Sequence, residues 1–283
     1  MPQTVIDLLK SAAEANAVDA CRRGNTIHLP RGEAVLIVTG DLHGHRRNFE
    51  RIQTFADLEN NASTHVMLQE IIHGGPQDDL GGCLSFELLF DVARYKMAYP
   101  DRVHIIMGNH DTAFINKSRV MKDGKEMNRS MHQAMHRRFE NEVEDVALAM
   151  RQFLFSLPLA VRTPNRIWLS HSLPAERYLD KFDPKILDKK LKINDVVRPG
   201  SAYLLTWGRN FSPELLDKMA EIFDVDLFIL GHQPQTAGFA RAGHNLMILA
   251  SDHNHGCILS LDMEKSYKMD GLIKAIVPLA SIA

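Results

Sequence analysis

Three apolar runs in this chain each end at a glycine that is followed by residue types able to bind a metal ion. Residues 34–39 precede Gly40-Asp41-Leu42-His43-Gly44, residues 103–107 precede Gly108-Asn109-His110-Asp111, and residues 227–230 precede Gly231-His232-Gln233-Pro234. An apolar run of this length bounded by glycine is typical of a buried strand. Ligands of open α/β sheets gather at the carboxyl ends of the strands. We therefore expect the three polar ends to meet at one shared metal site.

The patterns around these runs predict an α/β fold. Residues 65–68 form another predicted strand, and helical periodicity at residues 46–58 and 84–99 separates the first three strands. This β-α-β-α-β order favours a sheet with right-handed crossovers. The second half is rich in predicted strands, at residues 159–162, 166–170, 201–206, 227–230, 246–250 and 257–261. We predict two packed mixed β-sheets flanked by helices, an arrangement that some schemes class as α+β.

Two more helical regions bear on the domain organisation. Residues 5–20 suit an amphipathic helix with Thr4 as its N-cap. Residues 128–155 form a long helical stretch that either covers the site or packs on the sheet. Because the chain shows no internal repeat and no clear linker, we predict a single domain over residues 1–283. Residues 115–155 are a candidate helical cap or insertion in that domain.

Composition narrows the classes of partner and the location. The 283 residues carry a formal net charge of −2, which gives no broad electrostatic attraction for nucleic acid or an anionic membrane. The three cysteines are far apart and form no CxxC pair, which argues against a disulfide framework and a thiolate zinc site. We see neither a signal peptide nor a membrane-spanning stretch, so a cytoplasmic location is expected. The sequence does not indicate an oligomeric state.

The first two polar ends supply several kinds of ligand. In extended backbone, alternate residues point the same way, so Asp41 and His43 are able to reach one ion. Asn109 offers an amide oxygen, His110 is a candidate proton donor to a leaving oxygen, and Asp111 is a candidate carboxylate to orient that imidazole. The alternative in both cases is a turn whose Asp or Asn opens a helix. That alternative does not explain why the same residue types recur at other strand ends.

His171 and His232 each follow a predicted strand. Taken singly, such a histidine is more often a buried, hydrogen-bonded residue than a ligand. Together with the other strand ends, these residues offer carboxylate, amide oxygen and imidazole but no thiolate. That mixture suits Mn, Fe or Zn better than Mg or Ca alone. Two such ions, about 3.5–4 Å apart, are able to clamp a phosphoryl group.

The order Gly-Asp-x-His-Gly, Gly-Asn-His-Asp, an isolated strand-end His and Gly-His-x-Pro resembles the calcineurin-like metallophosphoesterases. The resemblance extends over roughly residues 34–261 and is closest to the phosphoprotein phosphatase branch, with its symmetrical dinucleotide tetraphosphatases. It implies a four-layer sandwich and two divalent metal ions. It also implies which residues bind the metals: Asp41 and His43 the first, and Asn109, His171 and His232 the second. His110 would be the proton donor, with Asp111 as the carboxylate that orients it. Arg209 would bind phosphate.

One motif departs from the pattern of the family. The family has Gly-Asp-x-x-Asp-Arg-Gly after its second strand, whereas residues 69–75 of this chain read Gln-Glu-Ile-Ile-His-Gly-Gly. Glu70 thus stands where the family has the Asp that bridges both metals. His73 replaces the second Asp and is expected to contact substrate, and Gly74 replaces the phosphate-binding Arg. Asp78 or Asp79 is the alternative bridge. Arg209, Arg46 or the basic segment at residues 117–119 is expected to bind phosphate instead.

The resemblance implies a binuclear metal-dependent phosphoric ester hydrolase, with manganese as one candidate metal. A metal-bound hydroxide would attack phosphorus in line, without a covalent phosphoenzyme. We expect a phosphomonoesterase that acts on a phosphoprotein or a small phosphate ester. A dinucleoside polyphosphate hydrolase and a phosphodiesterase are alternatives within the class. A non-catalytic metal-binding or scaffold protein is the alternative from another class.

Overall fold

The computed structural model describes residues 2–283 as a series of alternating helices and strands. The α-helices are α1 (Pro2–Ala17), α2 (Arg46–Ala56), α3 (Ser85–Ala98), α4 (Asn109–Asn116), α5 (Met127–Phe139), α6 (Val143–Phe155), α7 (Ser201–Trp207), α8 (Pro213–Phe223) and α9 (Met269–Lys274). The strands are β1 (Arg22–Arg23), β2 (Thr26–His28), β3 (Val35–Asp41), β4 (Thr64–Gln69), β5 (Val103–Ile106), β6 (Met121–Lys122), β7 (Lys125–Glu126), β8 (Ala160–Arg162), β9 (Ile167–Ser170), β10 (Leu227–Leu230), β11 (Phe239–Ala242), β12 (Leu246–Leu249), β13 (Cys257–Asp262) and β14 (Ile276–Pro278). The helices of this described part are too short or too polar to cross a lipid bilayer.

The strands form two mixed sheets and a small hairpin. The seven-stranded sheet has the order β1-β2-β8-β9-β10-β12-β11, and the five-stranded sheet has the order β14-β13-β3-β4-β5. In the smaller sheet β3, β4 and β5 are parallel, and β13 joins β3 antiparallel. In the larger sheet β9, β10 and β12 are parallel, and β11 is antiparallel to β12. The predicted α/β fold with two mixed sheets is confirmed.

The inner faces of the two sheets pack against each other and form one part of the core. Leu36 and Val38 of β3 belong to the same buried cluster as Leu169 of β9 and Ile229 of β10. The outer faces carry helices; for example, Trp168 stacks on Phe223 of α8 with ring centroids 4.0 Å apart. Burial of each such side chain contributes about 1.5–3 kcal/mol to folding. The strands are nearly continuous apolar runs because both faces of each sheet are covered.

The two sheets come closest where β3 ends. Asp41 forms an isolated parallel bridge with Ala250, which follows β12 of the other sheet. A Cβ atom on Gly40 would lie 2.3 Å from the carbonyl oxygen of Leu249, so this approach requires glycine. The Gly40 amide donates to the Ser251 hydroxyl at 2.9 Å. The junction places the carboxyl ends of both parallel strand groups at one edge of the sandwich.

Two predicted elements differ from the structure. Residues 201–206, predicted as a strand, form helix α7, in which Ala202, Leu204 and Leu205 are buried. A short apolar run does not distinguish a strand from a buried helix by its periodicity. The predicted helix at residues 128–155 is instead two helices, because the chain turns at Glu140, which has φ 48°. The first helix begins at Pro2, before the predicted N-cap.

Residues 115–155 form two packed helices, α5 and α6, and the short hairpin β6–β7. Helix α6 packs against α1 and α4, and α5 packs against α3 and α6. Hairpin β6–β7 turns at Asp123-Gly124, both with positive φ, and borders the carboxyl ends of β3 and β4 through Lys122. The helices therefore pack on the body of the protein, and the hairpin lies next to the strand ends.

The contact at Gly40 predicts a large loss of stability on a minimal substitution. We expect Gly40→Ala to lower the free energy of unfolding by about 1–3 kcal/mol, since the new methyl group meets backbone that has little room to move. Gly271→Ala is the matched control, because its Cβ would meet only a Tyr267 ring atom at 3.4 Å. Denaturant unfolding of both variants measures the difference. Equal free energies of unfolding for the two variants would show that the backbone near Gly40 moves apart to admit a methyl group without loss of stability.

Candidate metal centre

The end of β3 presents a carboxylate and an imidazole to the junction of the sheets. Asp41 accepts a hydrogen bond from the His232 backbone amide through Oδ1 at 2.9 Å. His43 follows with φ 42°, and its Nδ1 lies 3.0 Å from the carbonyl oxygen of Ile72. Because a carbonyl only accepts, Nδ1 carries the hydrogen in the neutral ring, and Nε2 keeps its lone pair. That Nε2 lies 3.6 Å from Asp41 Oδ2.

Glu70 extends the site from the end of β4. Its side chain is fully buried, and each carboxylate oxygen lies 3.2 Å from the backbone nitrogen of His110. A Cβ atom on Gly108 would lie 2.6 Å from Glu70 Oε2, so glycine at that position leaves the space that the longer acidic side chain needs. Asp78, the alternative bridge, instead accepts hydrogen bonds from Arg137 and lies partly exposed.

Asn109 connects the two sheets through its side-chain oxygen. Its Oδ1 lies 2.8 Å from Nε2 of His171 and 2.8 Å from Nδ1 of His232. His171 Nε2 also lies 3.0 Å from Glu70 Oε2. The other ring nitrogen of His171 donates to Gln69 Oε1 at 2.9 Å, and the Gln69 amide nitrogen donates to the Thr39 carbonyl at 2.8 Å. Gln69 thus fixes the His171 ring with Nε2 facing the acidic and amide oxygens.

The charges at this junction perturb one another strongly. Burial would raise the pKa of Asp41, but the charges of His171 and His43 outweigh it and hold the pKa well below its usual range. Burial opposes protonation of His171, yet Glu70 and Asp41 raise its pKa above the ordinary value. Burial, together with the negative charge of Glu70, raises the pKa of Asp111 to about 8. Such a concentration of shifted pKa values is typical of functional sites.

The donor set fits divalent metal ions. One ligand atom each from Asp41, Glu70 and His171 lies within 4.8 Å of the others. Ligand atoms that bind one ion at about 2.1 Å and at right angles lie about 3 Å apart. The contacts of Asn109 Oδ1 with the two imidazoles and of His171 with Glu70, at 2.8–3.0 Å, have this spacing. Oxygen and imidazole donors without thiolate suit Mn, Fe or Zn.

His110 and Asp111 lie in different surroundings from those predicted. The Nδ1 of His110 lies 3.0 Å from Nδ1 of His73, so one hydrogen is shared between the two rings. Asp111 Oδ2 accepts from the Gly108 amide at 2.8 Å and closes the first turn of α4. The predicted pairing of Asp111 with the His110 ring is therefore replaced by a contact with His73. A carboxylate at the third helical position turns back to the helix start, which explains the difference.

His73 is buried and lies behind His110. Its side chain is fully inaccessible, and burial lowers its pKa to about 3, so the ring is neutral near pH 7. Burial also holds the pKa of His110 well below its ordinary value. The predicted contact of His73 with substrate would require an exposed edge, and His73 shows none. His73 is positioned to orient the His110 imidazole.

The predicted cationic residues have different positions relative to the site. Arg209 is exposed and lines a cavity of about 580 Å³ together with Trp207, whose ring centroid lies 6.3 Å from that of His232. Arg46 is paired with Asp91, away from the strand ends. The sequence interpretation missed Lys122, which lines the cavity beside His43. The Asp-Gly pair at residues 123–124 is the sequence signal for its hairpin.

Comparison with known proteins identifies the family of the chain. The calcineurin-like phosphoesterase family model matches residues 34–236. A serine/threonine-protein phosphatase of Caenorhabditis elegans is 23% identical over 218 residues, which are 71% of this chain and 43% of that protein. This chain thus matches less than half the length of that curated relative.

Two solved structures share the fold. A protein serine/threonine phosphatase from Saccharomyces cerevisiae, with similarity to human phosphatase PP5, superposes with a TM-score of 0.70 at 14% identity, over 99% of this chain and 93% of that chain. A cold-active protein-tyrosine phosphatase of a psychrophilic Shewanella has a TM-score of 0.59 at 16% identity, over 89% of this chain and 80% of that chain. The resemblance drawn from the motifs is confirmed, and the chain belongs to the calcineurin-like phosphoesterase family.

Proposed function

We propose that this protein is a binuclear metal-dependent phosphoric ester hydrolase that cleaves phosphate monoesters. The observation that carries the proposal is the contact of the Asn109 side-chain oxygen with both His171 and His232. Glu70 contacts the His171 imidazole at the same place. Asp41 and His43 form the neighbouring group of ligands. The C. elegans relative and the yeast structure are both named serine/threonine phosphatases, which favours a phosphoprotein or a small phosphate ester as substrate.

Glu70 is the proposed bridge between the two groups of ligands. Asp41 and His43 hold the first metal in this proposal, and Asn109, His171 and His232 hold the second. Two divalent ions bound there, with manganese as the first candidate, would lower the pKa of a water molecule toward about 7 and neutralise phosphoryl oxygens. Glu70 also accepts from the His110 backbone amide, which couples the bridge to the start of α4.

His110 is the proposed proton donor to the leaving oxygen. A bound phosphate ester adds negative charge beside the ring, and that charge favours the protonated form against the effect of burial. His73 holds Nδ1 of His110 at 3.0 Å, which leaves Nε2 as the ring nitrogen available for proton donation in this proposal. Arg209 is proposed to bind the phosphate group of the substrate from the side of the site where His232 lies. Asp111 stabilises the helix start that carries Asn109 and His110.

We also propose that the chain forms a single domain. Helix α1 packs against α6, so elements that are far apart in sequence share one core. Helices α5 and α6 belong to that core in this proposal, and only the hairpin β6–β7 acts as a cap. A cytoplasmic location and action without nucleic acid or membrane partners remain part of the proposal.

Turnover of the purified protein with Mn²⁺ is the first test. We expect hydrolysis of an aryl phosphate monoester and a phosphopeptide, with slower or no hydrolysis of the corresponding diester, and loss of activity when a chelator removes the metal. A dinucleoside tetraphosphate is the comparison substrate, and its preferential cleavage would assign the polyphosphate hydrolase alternative. Bound metal with no turnover of any of these esters would favour a non-catalytic protein.

Substitution of Asn109 tests the second group of ligands. We expect Asn109→Ala to reduce bound metal and to lower kcat by at least about 100-fold, since even indirect partners of metal ligands cost about 10–100-fold. Asn141→Ala is the control, because Asn141 is exposed between α5 and α6. Elemental analysis and steady-state kinetics measure the two effects. Parental metal content and kcat in Asn109→Ala would remove this residue from the centre.

Substitution of His110 separates proton transfer from metal binding. We expect His110→Ala to lower kcat by about 10²–10⁴-fold, the range for a positioned general acid, while metal content stays at the parental level. A substrate with an acidic leaving group needs less protonation, so its kcat should fall less than that of an alkyl phosphate. Loss of metal from this variant would make His110 a ligand. An equal loss of kcat for both substrates would contradict the assignment as proton donor.

A further inference from the structure

Gly74 leaves one position at the edge of the candidate metal centre without a side chain. It has φ 154°, and a Cβ atom there would lie 2.7 Å from the carbonyl oxygen and 3.0 Å from the Cβ of His43. Backbone conformation and space therefore both exclude an arginine at this position. A cavity of about 360 Å³ opens beside His43 and is lined on the near side by Gly74 and Gly75. Any cation that serves this cavity has to come from another part of the chain.

Lys122 reaches the same cavity from hairpin β6–β7. Its side chain lines the cavity together with His43 and is about one-quarter exposed, at 26%. Burial is the main cause of the low pKa values of His73 and His110, and the positive charge of Lys122 lowers both pKa values further. The charge of Lys122 also opposes protonation of His43. Lys122 thus shares one cavity with His43 and Gly74.

The two lysines of the hairpin have different partners. Lys125 Nζ donates to Gln77 Oε1 at 2.6 Å and to the Gly81 carbonyl at 3.2 Å, which fastens the hairpin to the neighbouring loop. Lys122 Nζ lies 3.5 Å from Asp252 Oδ2, and both side chains of this pair are about one-quarter exposed. A partly exposed pair at this distance is weak and is readily exchanged for a better anion. Lys122 is therefore the lysine that is available to a ligand.

Asp252 has a fixed place in this arrangement. It follows Ser251, whose carbonyl accepts from Asn48 Nδ2 at 2.7 Å, and the same Asn48 nitrogen donates to the His253 carbonyl at 2.9 Å. The backbone on both sides of Asp252 is thus anchored to Asn48. A carboxylate in that position occupies the lysine in the absence of another anion.

We propose that Lys122 binds a phosphoryl oxygen of the substrate in this cavity, and that Asp252 is the internal anion that substrate displaces. The proposal rests on the proposed function and deepens it, because it names a dianionic phosphate group as the preferred ligand. A monoester dianion offers more charge to the ammonium group than a diester monoanion does. The cation lies on hairpin β6–β7, which Lys125 fastens to the neighbouring loop, and not on strand β4, which precedes Glu70.

Calorimetric titration of the Mn²⁺-loaded protein with inorganic phosphate tests this site without turnover. We expect Lys122→Gln to raise the Kd about tenfold, the effect of losing one charge-assisted hydrogen bond, whereas Lys122→Arg keeps the charge and stays within about threefold of the parent. Lys218→Gln is the control for net charge, since Lys218 is exposed on α8. Metal content and melting temperature, which a merely structural role would change, should be the same in all variants.

Asp252→Asn gives the opposite expected result. Removal of the competing carboxylate should lower the Kd for phosphate, and the double variant with Lys122→Gln should show no such gain. An unchanged Kd in Lys122→Gln, an equal loss in Lys218→Gln, or absence of phosphate binding by the parent would overturn the proposal. Parental turnover of an aryl phosphate is measured beside the titration. Turnover with an unchanged Kd in Lys122→Gln rejects only the lysine site, and phosphate binding without turnover rejects the proposed function.

Discussion

The contact of the Asn109 side-chain oxygen with His171 and His232 joins the ends of two separate sheets. Asn109 starts the helix after β5, whereas the two histidines follow β9 and β10 of the other sheet. A buried amide and two buried imidazoles are costly unless each finds a polar partner, so this contact fixes how the sheets meet. The amide of His232 on Asp41 makes a second link across the same junction. The rest of the site is arranged around these links.

The altered segment at residues 69–75 fits into surroundings that keep the other motifs of the family. Glu70 is longer than an aspartate, and Gly108 leaves the space for its carboxylate. Gln69 carries an amide that orients His171, and His73 supplies a neutral ring instead of a carboxylate behind His110. Compared with the family pattern, the segment keeps hydrogen-bonding groups and loses one acidic and one basic side chain. The His110 ring therefore has a neutral imidazole as its neighbour where the family pattern has an aspartate.

The sequence predicted the parts of this site that lie at the ends of long apolar runs. The runs before Asp41, Asn109 and His232 have a clear pattern because both faces of their strands are buried. Residues 201–206 were predicted wrongly because four to six apolar residues fit a buried helix as well as a strand. The partner of His110 was not predictable, because adjacency in sequence favoured Asp111 and only the tertiary structure brings His73 to the ring. Lys122 was missed because its surroundings are polar and have no periodicity.

Hairpin β6–β7 has no periodic sequence pattern, yet it holds the positive charge of Lys122 at a defined position. Its turn is set by Asp123 and Gly124, which both have positive φ, and its position is set by Lys125 on the loop at residues 76–82. Neither feature depends on the core of the sandwich. A change of the Lys122 side chain leaves in place the strand ends and buried hydrogen bonds that position Asp41, Asn109 and His232. The hairpin that carries Lys122 and the strand ends that carry Asp41 and Asn109 are therefore separate parts of the fold.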